Sequence, residues 1–301
     1  MDAVTGAFGY TGKYIARRLL AEGREVITLT GNPHRLNPFG EQVRAFPFDF
    51  DHPSALAARL KGVDTLYNTY WVRFPHGKIS YESAVENTRT LISAAKTAGV
   101  RRFVHVSITN PSPDSPLPYF RGKGILEGDI QASGLSYAII RPTVIFGQED
   151  ILINNIAFLL RRFPLFAVPG DGQYRLQPIF VEDIAEIAVR AAKSAENLVL
   201  DAAGPEVFTF EELGQTIAAQ IGRHPLLIHL PPLATWLLSA IISLWVKDVV
   251  LTRDEVRGLM AGLLVTDGLP TGGTRLSDWL EQNKNTVGKH YASELRRHYR
   301  S

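Results

Sequence analysis

The stretch TGAFGYTG, residues 5–12, sets glycines at 6, 9 and 12, directly behind the short apolar run Ala3–Thr5 and directly ahead of the helical pattern KYIARRLLAEG. Strand, glycine turn and helix in that order open a βαβ unit. A side chain in the turn would keep a pyrophosphate from the backbone N–H groups, and the N-terminus of the helix that follows favours an anion. A glycine-rich turn that binds nothing is the bland alternative. Strand before and helix after, at the head of a βαβ series, favour a dinucleotide site, with Gly6, Phe8, Gly9, Tyr10, Thr11 and Gly12 as candidate cofactor-binding residues.

Working outward, strand-like and helix-like segments alternate through the first half. EVITLT, VRAFPF, TLYNTYW and RRFVHVSI read as strands; SALAARLKG and SAVENTRTLISAAKTAG read as helices, the second ended by Gly99. A helix around Gly122–Ser133 precedes the strand and loop SYAIIRPTVIFG. This alternation predicts an α/β fold: a Rossmann-type doubly wound parallel sheet with a smaller, mostly helical C-terminal substrate domain. The expected division is 1–147 plus about 176–203 for the dinucleotide-binding domain, about 148–175 plus 204–275 for the substrate domain, and a helical tail over 276–301. FTFEELGQTIAAQIG carries a capping-box pattern, Thr209 with Glu212 three residues on.

Composition narrows the function classes. The chain has 301 residues, 45% hydrophobic and 21% charged, as an ordinary globular protein does. A net charge of +2 is too near neutral to argue for nucleic acid. There is no cysteine, which excludes a disulfide framework, a thiolate metal site and a cysteine nucleophile. The eight His show no ligand spacing, so no metal site is expected. The most apolar stretch, Leu233 to Val246, is 14 residues long, short of the ~20 needed to span a bilayer. No membrane span is expected, and the chain reads as a soluble, cytoplasmic protein.

The end of the second strand bears on cofactor choice. NAD sites usually place Asp or Glu there to hold the ribose 2′-OH. Here Thr30, Gly31 and Asn32 supply no acid, and Arg35 follows, able to pair a 2′-phosphate bidentately. Arg35 as a solvated loop charge is the alternative. NADP(H) is therefore favoured, with NAD(H) open. Asp49, with Phe50 beside it, is a candidate adenine contact or equally a helix-capping Asp.

On these residues the chain resembles the short-chain dehydrogenase/reductase superfamily in its extended and atypical branches. TGAFGYTG is similar to that superfamily's TGxxGxxG loop, and VENTRTLISAAKTAGVRRFVHVSITN to its segment ending in a catalytic Ser, here Ser107. Tyr119 follows twelve residues later, and Lys123 completes YxxxK. IIRPTVIFG resembles the nicotinamide-side loop, which makes Pro142, Thr143 and Val144 cofactor contacts by resemblance; Asn68 and Thr69 fall where family members line the cleft, and Asn87 where a structural Asn is kept. Within the superfamily the look is of NmrA-like proteins and of relatives of the complex I accessory subunit, to which LTRDEVRGLM is similar.

The resemblance implies a Ser107–Tyr119–Lys123 catalytic triad. A free Tyr has a pKa near 10, so proton exchange at neutral pH requires phenolate stabilisation of roughly 4 kcal/mol. An ammonium one helical turn away supplies a positive charge, and by resemblance Lys123 also holds the nicotinamide ribose. Each member has a bland reading: Ser107 ends a strand, Tyr119 packs, Lys123 is surface. The expected function is an NAD(P)-dependent oxidoreductase of reductase, dehydrogenase or epimerase type. The alternative is a non-catalytic redox sensor or assembly factor. The substrate side, with Ile151, Leu152, Ile153, Phe158, Phe163, Phe166 and Trp236–Leu238, is apolar and suits an apolar small molecule, or else packs the small domain or a homodimer contact.

Overall fold

The computed structural model describes residues 1–77 and 79–298. The last three positions of the expected 276–301 tail lie outside the described residues. In chain order the elements are β1 (Asp2–Thr5), α1 (Thr11–Ala21), β2 (Val26–Thr30), β3 (Val43–Pro47), α2 (Pro53–Leu60), β4 (Thr65–Asn68), α3 (Tyr81–Ala98), β5 (Arg102–Val106), α4 (Pro118–Ala132) and β6 (Ser136–Pro142). They continue with β7 (Val144–Phe146), α5 (Leu152–Arg162), β8 (Leu165–Pro169), β9 (Arg175–Leu176), β10 (Pro178–Phe180), α6 (Val181–Ala192) and β11 (Leu198–Ala202). The last are β12 (Phe208–Thr209), α7 (Phe210–Gln220), β13 (Leu226–Leu230), α8 (Pro232–Val246), α9 (Arg253–Met260), α10 (Leu276–Asn283) and α11 (Glu294–His298). Two compact units result: Met1–Pro142 with Glu182–Asp201, and Thr143–Val181 with Ala202–Ser301.

In the first unit seven strands form one sheet in the order β11-β6-β5-β4-β1-β2-β3. The pairings from β3 across to β6 all run parallel. The chain winds from β1 out to β3, then crosses back to the other side of β1 for β4, β5 and β6. That reversal parts the loops after β1 and β4 and opens a crevice at their carboxyl ends. Helices cover both faces of such a sheet, so its strands read as unbroken apolar runs; every residue of β1, β2, β4 and β5 is buried. Ile27, Leu29, Leu66 and Phe103 of the sheet pack with Leu56, Leu60 and Leu91 of α2 and α3. Ser80 and Ser83 cap α3 reciprocally, and Gly99 ends it in the left-handed region at φ 72°.

Besides the place of β11 beside β6 in the sheet, one buried side chain ties in the segment 182–201. Arg102, fully buried, donates from Nε to the Ala191 carbonyl (3.1 Å), from Nη2 to the Glu196 carbonyl (2.8 Å) and from Nη1 to Ser136 Oγ (2.7 Å). A buried guanidinium is tolerated only when its donors are met.

The second unit holds three small strand pairs, β7 with β10 and β8 with β13 parallel, β9 with β12 antiparallel. Its core gathers Phe146, Ile153, Phe166, Leu213, Trp279 and Leu280. Ile153 and Phe166, candidates for an apolar pocket, therefore pack inside this unit. The capping box on α7 forms: Thr209 Oγ1 accepts from Glu212 N (3.1 Å), and Glu212 Oε2 accepts from Thr209 N (2.8 Å).

Candidate functional site

The glycine turn after β1 is built for close approach. Gly6 sits at φ +66°, a left-handed conformation that glycine adopts without strain. Gly9 N donates to Gly6 O (2.8 Å). A Cβ on Gly12 would lie 2.5 Å from Gly6 O and 2.9 Å from Gly6 C, and one on Gly9 3.0 Å from Gly6 O, so α1 starts hard against the turn. Ala7 N donates to Thr28 Oγ1, which fixes the turn to β2, and Phe8 is buried beside it. Thr11 opens α1, whose N-cap Tyr10 makes no side-chain cap and whose first turn carries no acid. No acidic side chain of its own first turn competes for its N–H groups and dipole, and the turn fits a pyrophosphate.

Across the crevice, the loop after β4 is stitched to β1. Thr69 Oγ1 donates to Thr5 O (2.6 Å), and Thr69 N donates to Thr5 Oγ1 (2.7 Å). The Thr5 hydroxyl in turn donates to Asn68 Oδ1 (3.0 Å), which orients the Asn68 amide nitrogen toward His105 Nδ1 (3.0 Å). Burial, and the Lys123 ammonium after it, hold the His105 pKa well below its ordinary value. The ring is neutral, Nδ1 accepts and the proton sits on Nε2, which meets no acceptor among the described residues. Asn68 is fully buried and serves this chain of bonds.

At the far edge, Asn32 N donates to Thr30 Oγ1 and Arg35 N to Asn32 O, so the loop after β2 folds back on itself. Arg35 is half-buried there. Asp49 accepts from His52 Nδ1 (2.7 Å), an interaction that raises the His52 pKa. Phe50 stacks on Phe48 at 4.8 Å and lies 5.4 Å from Tyr70. Asn87 donates to the Tyr70 hydroxyl (2.9 Å).

The third group lies on α4 and the end of β5. Pro118, at the first helical position, starts α4, so Tyr119 and Lys123 are one turn apart on it. Lys123 is 2% exposed. Its Nζ donates to the Val106 carbonyl (2.7 Å), next to Ser107, and lies 4.6 Å from the centre of the Trp71 ring. Burial pushes the amine down to about 7, with the Glu127 carboxylate opposing the shift. Tyr119 packs edge-on to Trp71 (5.7 Å) and Tyr81 (6.0 Å). The flanking glycines have a steric reason: a Cβ on Gly122 would lie 2.7 Å from the Trp71 ring, and one on Gly124 2.4 Å from Ser112 C.

Ser107, buried at the end of β5, donates to Glu127 Oε1 (2.5 Å). Arg141 forks onto the same carboxylate, Nε at 3.1 Å from both oxygens and Nη2 at 2.5 Å from Oε2. Glu127, Arg141 and His105 were missed in the sequence. One signal was present: Glu127 stands four residues after Lys123 and shares its helix face. Pro142 accepts from Thr109 N (2.9 Å). Thr143 and Val144 belong to the second unit, where Thr143 Oγ1 donates to Gln177 O and Val144 pairs with Pro178.

A family model described as NAD(P)H-binding matches residues 6–155. The NADH dehydrogenase [ubiquinone] 1 alpha subcomplex subunit 9 of Arabidopsis thaliana is 24% identical over 88% of this chain and 70% of its own. An NAD(P)H azoreductase of Xenophilus azovorans is 30% identical over 74% of both chains. The triphenylmethane reductase of Citrobacter sp., solved with NADP(H), has the same fold, with a TM-score of 0.77 at 18% identity over 93% of this chain and 99% of its own.

Proposed function

Since the chain belongs to the NAD(P)H-binding family, in the extended, NmrA-like part of the short-chain dehydrogenase/reductase superfamily, we propose that it is an NAD(P)-dependent oxidoreductase that moves a proton at a carbonyl or hydroxyl substrate through Ser107, Tyr119 and Lys123. The observation that carries this reading is Lys123: a buried amine pushed to about 7, one turn from a tyrosine, beside the strand end that bears Ser107. The bound nicotinamide supplies the hydride.

The turn Gly6–Gly12 with Phe8, Tyr10 and Thr11 would hold the pyrophosphate, and Thr69 and Pro142 the nicotinamide side. Lys123 in its ammonium form lowers the cost of a phenolate on Tyr119. Ser107 has a narrower role than a free hydroxyl. Its proton is given to Glu127, so its oxygen offers only lone pairs and would accept from a substrate hydroxyl. The absence of an acid over Thr30–Asn32 and the half-buried Arg35 support NADP(H), with Asp49 and Phe50 toward the adenine. Tyr119→Phe should abolish turnover of NADPH with a quinone or azo acceptor and leave NADPH affinity within a few-fold; retained turnover refutes the reading. Tighter binding of NADH than NADPH refutes the role of Arg35.

The likeness to a complex I subunit over 88% of the chain favours a second reading, a non-catalytic cofactor-dependent assembly factor. It predicts tight dinucleotide binding with no consumption over a broad panel of acceptors.

A further inference from the structure

A run of exposed apolar side chains in the second unit lies on α8. Leu233, Leu237, Ile241 and Leu244 recur at helical spacing and form one stripe, each between 50 and 81% exposed. A soluble chain rarely leaves such a stripe to water without use. The stripe continues off the helix. Trp245, 57% exposed, packs against Phe163 at 5.8 Å. Two residues on, Leu165 opens β8 and is paired in register with Leu226 of β13, both half or more exposed.

Three arginines stand beside Phe163 and Leu226. Arg161 and Arg162 end α5 directly before Phe163, and Arg223 precedes Leu226. Arg161 donates to the carbonyls of Val287 and Lys284, Arg162 to those of Phe158 and Lys289. Among the described residues no carboxylate pairs with these three arginines. Burial, then Arg223 and Arg162, push the Arg161 pKa down, so the cluster repels itself. A protein partner with an apolar patch would cover the leucines but leave this repulsion in place. A surface that is apolar inside and anionic outside meets both.

We propose that α8 and the adjoining ends of β8 and β13 dock on an anionic phospholipid bilayer, with the leucine stripe in the headgroup boundary and Arg161, Arg162 and Arg223 on the lipid phosphates. The helix lies on the membrane and does not cross it: fifteen residues are about 22 Å long, against a hydrocarbon core of about 30 Å, and no described helix is long and apolar enough to span. Lying in the interface with one apolar face down is the usual behaviour of such helices.

The test is co-sedimentation of the full chain with phosphatidylcholine vesicles, with and without phosphatidylglycerol, at low and high salt. Binding should require the anionic lipid and fall with salt. Arg223→Glu should weaken it at least about five-fold, since one cation near such a surface contributes about 1 kcal/mol. The double variant Ile241→Asp/Leu244→Asp should abolish binding; both side chains are exposed, so thermal unfolding should match the wild type. Failure to sediment with anionic vesicles, or unaltered binding by both variants, overturns the proposal. So does a dimer in sedimentation velocity that Ile241→Asp/Leu244→Asp dissolves without changing vesicle binding, because the occupant is then a second copy.

Discussion

Replacing Glu127 by Gln keeps the side chain's size and removes one buried charge. The carboxylate is 4% exposed and takes the Ser107 hydroxyl and both prongs of Arg141. Removing one partner of a buried ion pair costs roughly 3–5 kcal/mol. The Arg141 side chain is 30% exposed, so water recovers part of that, and Gln still accepts from Ser107. The expected loss is about 2 kcal/mol, or a fall in Tm of roughly 4–8 °C. A second effect is electrostatic. Glu127 opposes the burial that depresses Lys123, so in the Gln variant the amine should titrate further below about 7. Trp71, with the ammonium 4.6 Å from its ring centre, reports that titration by fluorescence, and the Trp71→Phe variant identifies its share of the signal. An unchanged Tm together with a Trp71 transition at the wild-type pH would refute the assignment of Glu127 as the group that holds Ser107, Arg141 and Lys123 together.

Gly12→Ala sets a methyl 2.5 Å from a backbone oxygen that cannot swing away; overpacking of about 1–3 kcal/mol should weaken NADPH binding roughly 10–100-fold in a fluorescence titration. For Lys123 the folded pKa of about 7 lies below the free value of 10.5, so the unfolded chain binds more protons in that window and this side chain makes stability fall as pH drops from 10.5 through about 7. Urea unfolding of Lys123→Met should show a flatter pH slope there. Asp150 has the opposite sign. Burial raises it from 3.8 to about 7, so its contribution is present at acid pH and is lost as pH rises through about 7. Asp150→Asn should remove that pH dependence from the same assay.

The glycine turn and the parallel sheet were legible because their signals are local. A left-handed glycine, a buried strand and a helix start each need only a few neighbouring residues, and α3 ends at Gly99 as its pattern predicts. Glu127 was not legible, although it stands in register with Lys123. A Lys and Glu four apart usually mark a solvated helix face, and what reverses that here is Arg141, fourteen residues on and across a turn of the chain. The His105–Asn68–Thr5 chain joins three different strands, so only the sheet order reveals it. The two-residue strands β9 and β12 form because each meets the other, with too little sequence to carry a period of their own.

The bonds of Arg102 bear on how the chain matures. Its acceptors at Ala191 and Glu196 lie about ninety residues downstream, so a nascent chain that has reached Pro142 holds six of the sheet's strands and a guanidinium with two of its three acceptors still unmade. Domains emerging from the ribosome generally close in order of synthesis. Here the earliest unit to begin must wait for the latest of its segments, while the residues of another unit, 143–181, pass between. A fragment ending at Pro142 should therefore stay open and prone to aggregation, and one ending after Ala202 supplies both missing acceptors together with the seventh strand.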